Sequence, residues 1–157
     1  ALGPLLPAAY QGLGSLLAEA TEETLHLALE TLLPVVRADG AAAAAMEPQV
    51  TPVVLRAWAE NYNDPLVSED CVELLGALAA APGCLRPMLG RALPTLSSVV
   101  ASPEQQPGGL VEAALDLLAT LMRPAGPDVA REAHAHVFPA VAALAARSSP
   151  CLRLGEA

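Results

Sequence analysis

VTPVVLRAWAENYNDPLVSEDCVELLGALAA, residues 50–80, decides how the chain folds. Its first half carries apolar residues at helical spacing around one proline; its second half repeats that spacing. Between them stands Asn63-Asp64-Pro65. Pro65 suits the first position of a new helix, where its missing N–H is no loss. Asn63 and Asp64 are placed to accept from the open N–H groups of that helix end. The stretch therefore reads as an antiparallel helical hairpin.

Outward from it the chain reads as further copies. Upstream, an apolar helix is expected over residues 2–17, then a break over Ser15–Ala20. Thr21 with Thr24 makes a poor capping box, but Glu22 and Glu23 suit a helix start, since acids favour a helix N-terminus. Leu25, Leu29, Leu32, Leu33 and Val36 then mark one helical face, which Asp39-Gly40 ends. The Ala41–Ala45 run reads as a flexible connection or a fraying helix before a helix from about Pro48 to Tyr62. Val67, Cys71, Leu74, Leu75 and Leu78 mark the next face, ended by Pro82-Gly83. Helices follow at 85–101, Leu110–Met122 and Asp128–Arg147, and Ser149-Pro150 opens an eighth.

The prolines supply a period. Pro7, Pro52, Pro94 and Pro139 fall in the first helix of each pair, spaced by 45, 42 and 45 residues. An interior proline costs a helix about 3 kcal/mol, so four in register point to a bend that curves each helix around its neighbours. The second helices repeat at 43 and 43 through Glu30-Thr-Leu-Leu, Glu73-Leu-Leu-Gly and Asp116-Leu-Leu-Ala. Two helices in such a period belong to the HEAT class of α-solenoid. The expected fold is all-α, a right-handed α-α superhelix of antiparallel helix pairs. Its repeats are expected at about 1–40, 46–82, 85–124 and 127–157, the last incomplete. A start without Met and an end inside a helical pattern suggest one continuous segment of something longer.

Composition agrees with that class. Hydrophobic residues make up 54% of the chain and aromatics 3%, so its core must be built from Leu, Ala and Val. Residues 1–18 carry no charge, but glycines, prolines and Gln11 interrupt them, which argues for a buried helix over a membrane span. A formal charge of −9 counts against direct nucleic-acid binding, which wants a basic face. Cys71, Cys84 and Cys151 form no CxxC pair and have no ligand spacing with His26, His134 or His136, so buried thiols are expected. His134 and His136 point apart on a helix, and Glu132 with His136 is an ordinary surface spacing. Gly108-Gly109 and Ser97-Ser98 lack the flanking residues of phosphate-binding or nucleophile motifs. Trp58 and Tyr62 share a helix face and read as packing. Nothing here calls for a cofactor, a metal or catalysis.

The charge has a place instead. In a solenoid, equivalent residues of successive repeats lie side by side. Glu30, Glu73 and Asp116 would then form a ladder, with Glu69 and Glu112 one turn before the last two and His26 in the equivalent place of the first repeat. Stacked like charges do nothing for folding, whereas a cationic partner would explain them; the alternative is a plain solvated face. Nine acids (Glu19, Glu22, Glu23, Glu30, Glu69, Asp70, Glu73, Glu112 and Asp116) fall to the second helices with only Arg37 and Arg123. The first helices carry Arg56, Arg86, Arg91, Arg131 and Arg147.

Several stretches carry a resemblance. NDPLV (63–67), PMLGRALPTLSSVVASP (87–103), PGGLVEAALDLLATLMR (107–123) and VFPAVA (137–142) resemble the later middle repeats of the importin-β (karyopherin) family of nuclear transport receptors. The resemblance runs from about residue 25 to 152 and is strongest after Asn63. It implies a superhelical receptor that shuttles between cytoplasm and nucleus and binds basic cargo such as core histones and ribosomal proteins. It also implies passage along nuclear pore proteins and control by the GTP-bound Ran GTPase, the latter through other parts of the parent chain. In that family the second helices generally line the inner surface, where this sequence places its acids. Two other readings stand beside it: a static HEAT scaffold for complex assembly, and a helical regulatory domain of an enzyme.

Overall fold

The computed structural model describes residues 6–148. Among them run seven α-helices and a short 3₁₀ turn, with no strand: α1 Leu6–Glu19, α2 Glu22–Ala38, α3 Gly40–Asn61, α4 Pro65–Ala80, α5 Leu85–Ala101, α6 Leu110–Met122 and α7 Pro127–Ser148. The eighth helix expected from Ser149 onward lies outside the described residues, as does Cys151.

The helices form two layers. In one, α1 packs on α3, α3 on α5 and α5 on α7; in the other, α2 packs on α4 and α4 on α6. Within each pair, α1 meets α2, α3 meets α4 and α5 meets α6. This is an all-α helical-repeat solenoid. A single apolar core runs through it from Leu17 to Val137. Leu74, Leu75 and Leu78 of α4 and Leu117 and Leu121 of α6 are completely buried, each contributing about 1.5–3 kcal/mol of transfer free energy. Every apolar position expected on α4 is buried, Val67 and Cys71 included; of those expected on α2, only Leu33 stays half-exposed. Gly76 lets α4 approach α6 closely, because a Cβ there would stand 2.9 Å from the Thr120 methyl.

Local chemistry sets the helix ends. The Asp64 carboxylate accepts from the N–H groups of Leu66 at 3.0 Å and Val67 at 3.3 Å, with Pro65 in the first turn of α4. At the start of α2, the Thr24 hydroxyl accepts the Thr21 N–H at 2.9 Å. Thr24 thus completes the box that its residue type made look poor: threonine is shorter than Glu, yet its hydroxyl reaches.

Three expectations are corrected. The Ala41–Ala45 run is neither a loop nor a frayed end but part of α3, which begins at Gly40. Asp39 explains this. It ends α2 and also caps α3, accepting from Ala41 at 3.0 Å and Ala42 at 3.2 Å, and Ala43 is wholly buried. Interior prolines do not mark the first helices alone, since Pro34 lies inside α2 and Pro48 joins Pro52 in α3. Pro34, Pro52, Pro94 and Pro139 all sit on exposed faces, where water can meet the carbonyls they leave unbonded. Finally, Glu19 closes α1 and so leaves the second-helix set.

Candidate functional site

The layer of second helices carries eight carboxylates on α2, α4 and α6 against one arginine, Arg37. The layer of first helices is balanced, with Glu19, Glu47, Glu60, Asp128 and Glu132 against five arginines. The expectation that the layers differ in sign therefore needs restating: one is acidic and the other neutral. In the neutral layer several of the charges are paired. Arg91 of α5 meets Glu47 of α3, whose side chain is 3% exposed. Arg86 of α5 meets Glu132 of α7 at 2.9 Å, and Arg131 meets Asp128 at 2.6 Å. Arg147 meets Glu104, in the 3₁₀ turn, at 3.2 Å.

The expected ladder of Glu30, Glu69, Glu73, Glu112 and Asp116 divides in two. Between α2 and α4 its members are tied. Arg37 donates to Glu73 at 2.7 Å, and His26 Nε2 stands 3.6 Å from Glu30. The other ring nitrogen of His26, Nδ1, makes a close contact with Asp70. The bond to Asp70 holds the imidazole above its ordinary pKa, helped by the charges of Asp70, Glu30 and Asp64 and opposed by partial burial. His26 is thus a working contact across the seam and more than a gap in the acidic pattern. In this half the acids have partners on α2, which the ladder reading did not foresee.

Between α4 and α6 the arrangement differs. Glu69 on α4 and Glu112 and Asp116 on α6 are exposed, and none has an ion-pair partner among the described residues. The three line one cleft of about 430 Å³, which Trp58, Tyr62 and Asn63 close from the end of α3. Gly109 aims α6 into this position. Its φ of +85° is a conformation L side chains avoid, and it brings Glu112 into the first turn of the helix. There the carboxylate also gains from the helix dipole. Tyr62 is steadied by its hydroxyl, which donates to the Gly108 carbonyl at 3.4 Å. Trp58 is 2% exposed, so the packing role expected for it is correct, but its indole N–H has no hydrogen-bond partner.

Other residues weighed for chemistry are placed elsewhere. Burial, with some help from Asp70, pushes the Cys71 thiol up to about 12, and burial raises that of Cys84 too; neither is a nucleophile at neutral pH. His134 stacks on Phe138, with ring centroids 4.3 Å apart. Glu132 turns to Arg86 instead of His136. No group of three or more His, Cys, Asp or Glu side chains suited to a metal occurs among the described residues. No helix among them is long and apolar enough to cross a membrane.

Sequence reasoning missed Glu47 and the cross-helix partners. A signal for them was present. His26 and Asp70 are separated by 44 residues, Glu47 and Arg91 by 44, Arg86 and Glu132 by 46, and Glu104 and Arg147 by 43. Each separation is one repeat period, so opposite charges at equivalent positions of neighbouring repeats mark the pairs.

No family model matches the chain. Over 141 residues, 87% of its length, the chain is 29% identical to importin-9 of Drosophila melanogaster. That match spans 13% of the importin. The similarity is therefore to one portion of a much longer importin.

Proposed function

We propose that the chain is a segment of a nuclear transport receptor and contributes an acidic helix layer to the binding of basic protein cargo. The observation that carries this reading is the coincidence of two facts. The similarity to importin-9 extends over 87% of the chain, and its unbalanced charge lies in the layer of second helices. The repeat units are α1–α2, α3–α4 and α5–α6, with α7 opening a fourth. Cargo rich in Lys and Arg, such as core histones or ribosomal proteins, is held by many weak attractions spread over the layer. A single exposed ion pair is worth only about 0–1 kcal/mol, so affinity comes from their number and falls with added salt. The parent receptor shuttles between nucleus and cytoplasm along nuclear pore proteins, and control by Ran belongs to its other parts. The role is that of a binding protein and not of an enzyme.

A pull-down of the full-length receptor with core histone dimers tests the reading, comparing wild type with the variant carrying Glu69→Lys, Glu112→Lys and Asp116→Lys. Loss of salt-sensitive binding in a variant that circular dichroism shows to be folded is the expected result. Undiminished binding would make these repeats a static scaffold. The ties of Glu73 to Arg37 and of Glu30 to His26 favour that second reading for those two carboxylates, as braces between α2 and α4.

A further inference from the structure

We propose that the seam between α5 and α7 holds a pocket for an uncharged small molecule whose apolar body is about two fused rings in size. The pocket lies in the layer of first helices, so it stands apart from the cargo reading of the acidic layer. Its volume is about 390 Å³, and a cavity of about 150 Å³ in another protein is enough to hold benzene. Leu89 and Leu93 of α5 and Ala133 of α7, all buried, form its deepest walls, with Pro94 and Val129 beside them.

The repeat shows how the sequence opens this space. The proline register runs 42 residues from Pro52 to Pro94 and 45 from Pro94 to Pro139. By that register the α3–α5 seam carries Pro48, Leu55 and Met88 where the α5–α7 seam carries Gly90, Ser97 and Ala133. Three large side chains have given way to small ones. Glu47 and Arg91, which meet across the α3–α5 seam, correspond to Leu89 and His136, residue types that form no ion pair with each other. Gly90 is not explained by packing, because a Cβ built there meets nothing within 4 Å. A glycine inside a helix weakens it, and here its effect is to leave the seam open.

The rim favours a neutral ligand. Arg86 near the start of α5 and Glu132 of α7 meet at 2.9 Å across one end of the pocket, so their charges cancel. An extended peptide running along the seam would have to break that bridge, whereas a small molecule fits beside it. Polar groups that can orient a ligand are present too. His136 lines the pocket with ring nitrogens able to donate or accept, and Ser97 lines it with a hydroxyl that has no hydrogen-bond partner. An apolar interior with a few polar groups is the usual make-up of a small-molecule site. One hydroxyl on the ligand suits both residues.

The 157-residue chain is titrated with 2-naphthol, neutral at physiological pH, while the backbone N–H resonance of Leu89 is followed by NMR. A saturable shift is expected. The charged counterpart, 2-naphthoate, should bind at least about tenfold more weakly, since its carboxylate must leave water for an apolar wall. The variant Ser97→Leu/Ala133→Met restores the side chains of the α3–α5 seam and should lose 2-naphthol binding by a similar factor. Circular dichroism checks its fold. Gly90→Leu fills the same space from another position and decides the matter if the double variant does not fold. Glu69→Gln/Glu112→Gln, in the other layer, should bind like wild type. A Leu89 resonance that stays still overturns the proposal, as does binding that survives filling of the pocket or equal binding of 2-naphthoate.

Discussion

The two seams of the acidic layer are built from similar helices and solve one electrostatic problem differently. Where α2 meets α4, Arg37 and His26 sit among the carboxylates and hold Glu73, Glu30 and Asp70. Where α4 meets α6, Glu69, Glu112 and Asp116 face each other without a cation among the described residues. The first seam is self-contained. The second keeps its repulsion and relies on the apolar contacts beneath, including the close approach at Gly76. Charge that a fold does not neutralise for itself is charge available to a partner.

The largest effect of breaking a charge pair is expected outside both seams, and it sets their scale. Arg91→Ala leaves the Glu47 carboxylate buried and alone, since that side chain is 3% exposed; a loss of about 3–5 kcal/mol in a urea melt is expected. Replacing both partners with methionine should recover most of it, which distinguishes an orphaned charge from a lost packing contact. Next comes the tied seam. Glu73→Gln breaks the exposed pair with Arg37 and should cost about 0.2–1 kcal/mol, fading at high salt. If it costs nothing at low salt, the seams do not differ in the way described.

The His26 contact sharpens the same comparison through pH. Its folded pKa lies above the ordinary value of 6.5 because of Asp70, so its stabilising contribution is complete below that value. It is lost as pH rises through the raised folded value. Melting temperatures measured across that window should fall for wild type and stay flatter for His26→Gln. The smallest effect is expected in the open seam. Asp116→Asn removes a carboxylate that has only like charges near it, so stability should change by less than about 0.5 kcal/mol, in the stabilising direction. A clear loss would reveal a cation at that seam.

Much of this architecture was legible in the sequence, because periodic apolar faces and turn chemistry agreed. Helices α5 and α6 begin and end where Leu85–Ala101 and Leu110–Met122 predict. The start of α3 was not legible. An alanine run has no contrast between faces, and Asp39-Gly40 reads as a stop although Asp39 also caps the next helix. The carboxylates of the candidate site were legible as a ladder, but their division was not. His26 and Arg37 differ from neighbouring surface residues only through partners on α4, 44 and 36 residues away. The cleft was equally hidden, since Trp58 looks the same from sequence whether its indole N–H is paired or alone.

The double duty of Asp39 has a mechanical consequence. A joint of one residue offers two soft dihedral angles, and here both are fixed by the end of one helix and the cap of the next. Little is left there to act as a pivot. The joints at 81–84 and 123–126, between α4 and α5 and between α6 and α7, are longer. The pairs α1–α2 and α3–α4 are therefore joined more stiffly than α4 is to α5 or α6 to α7.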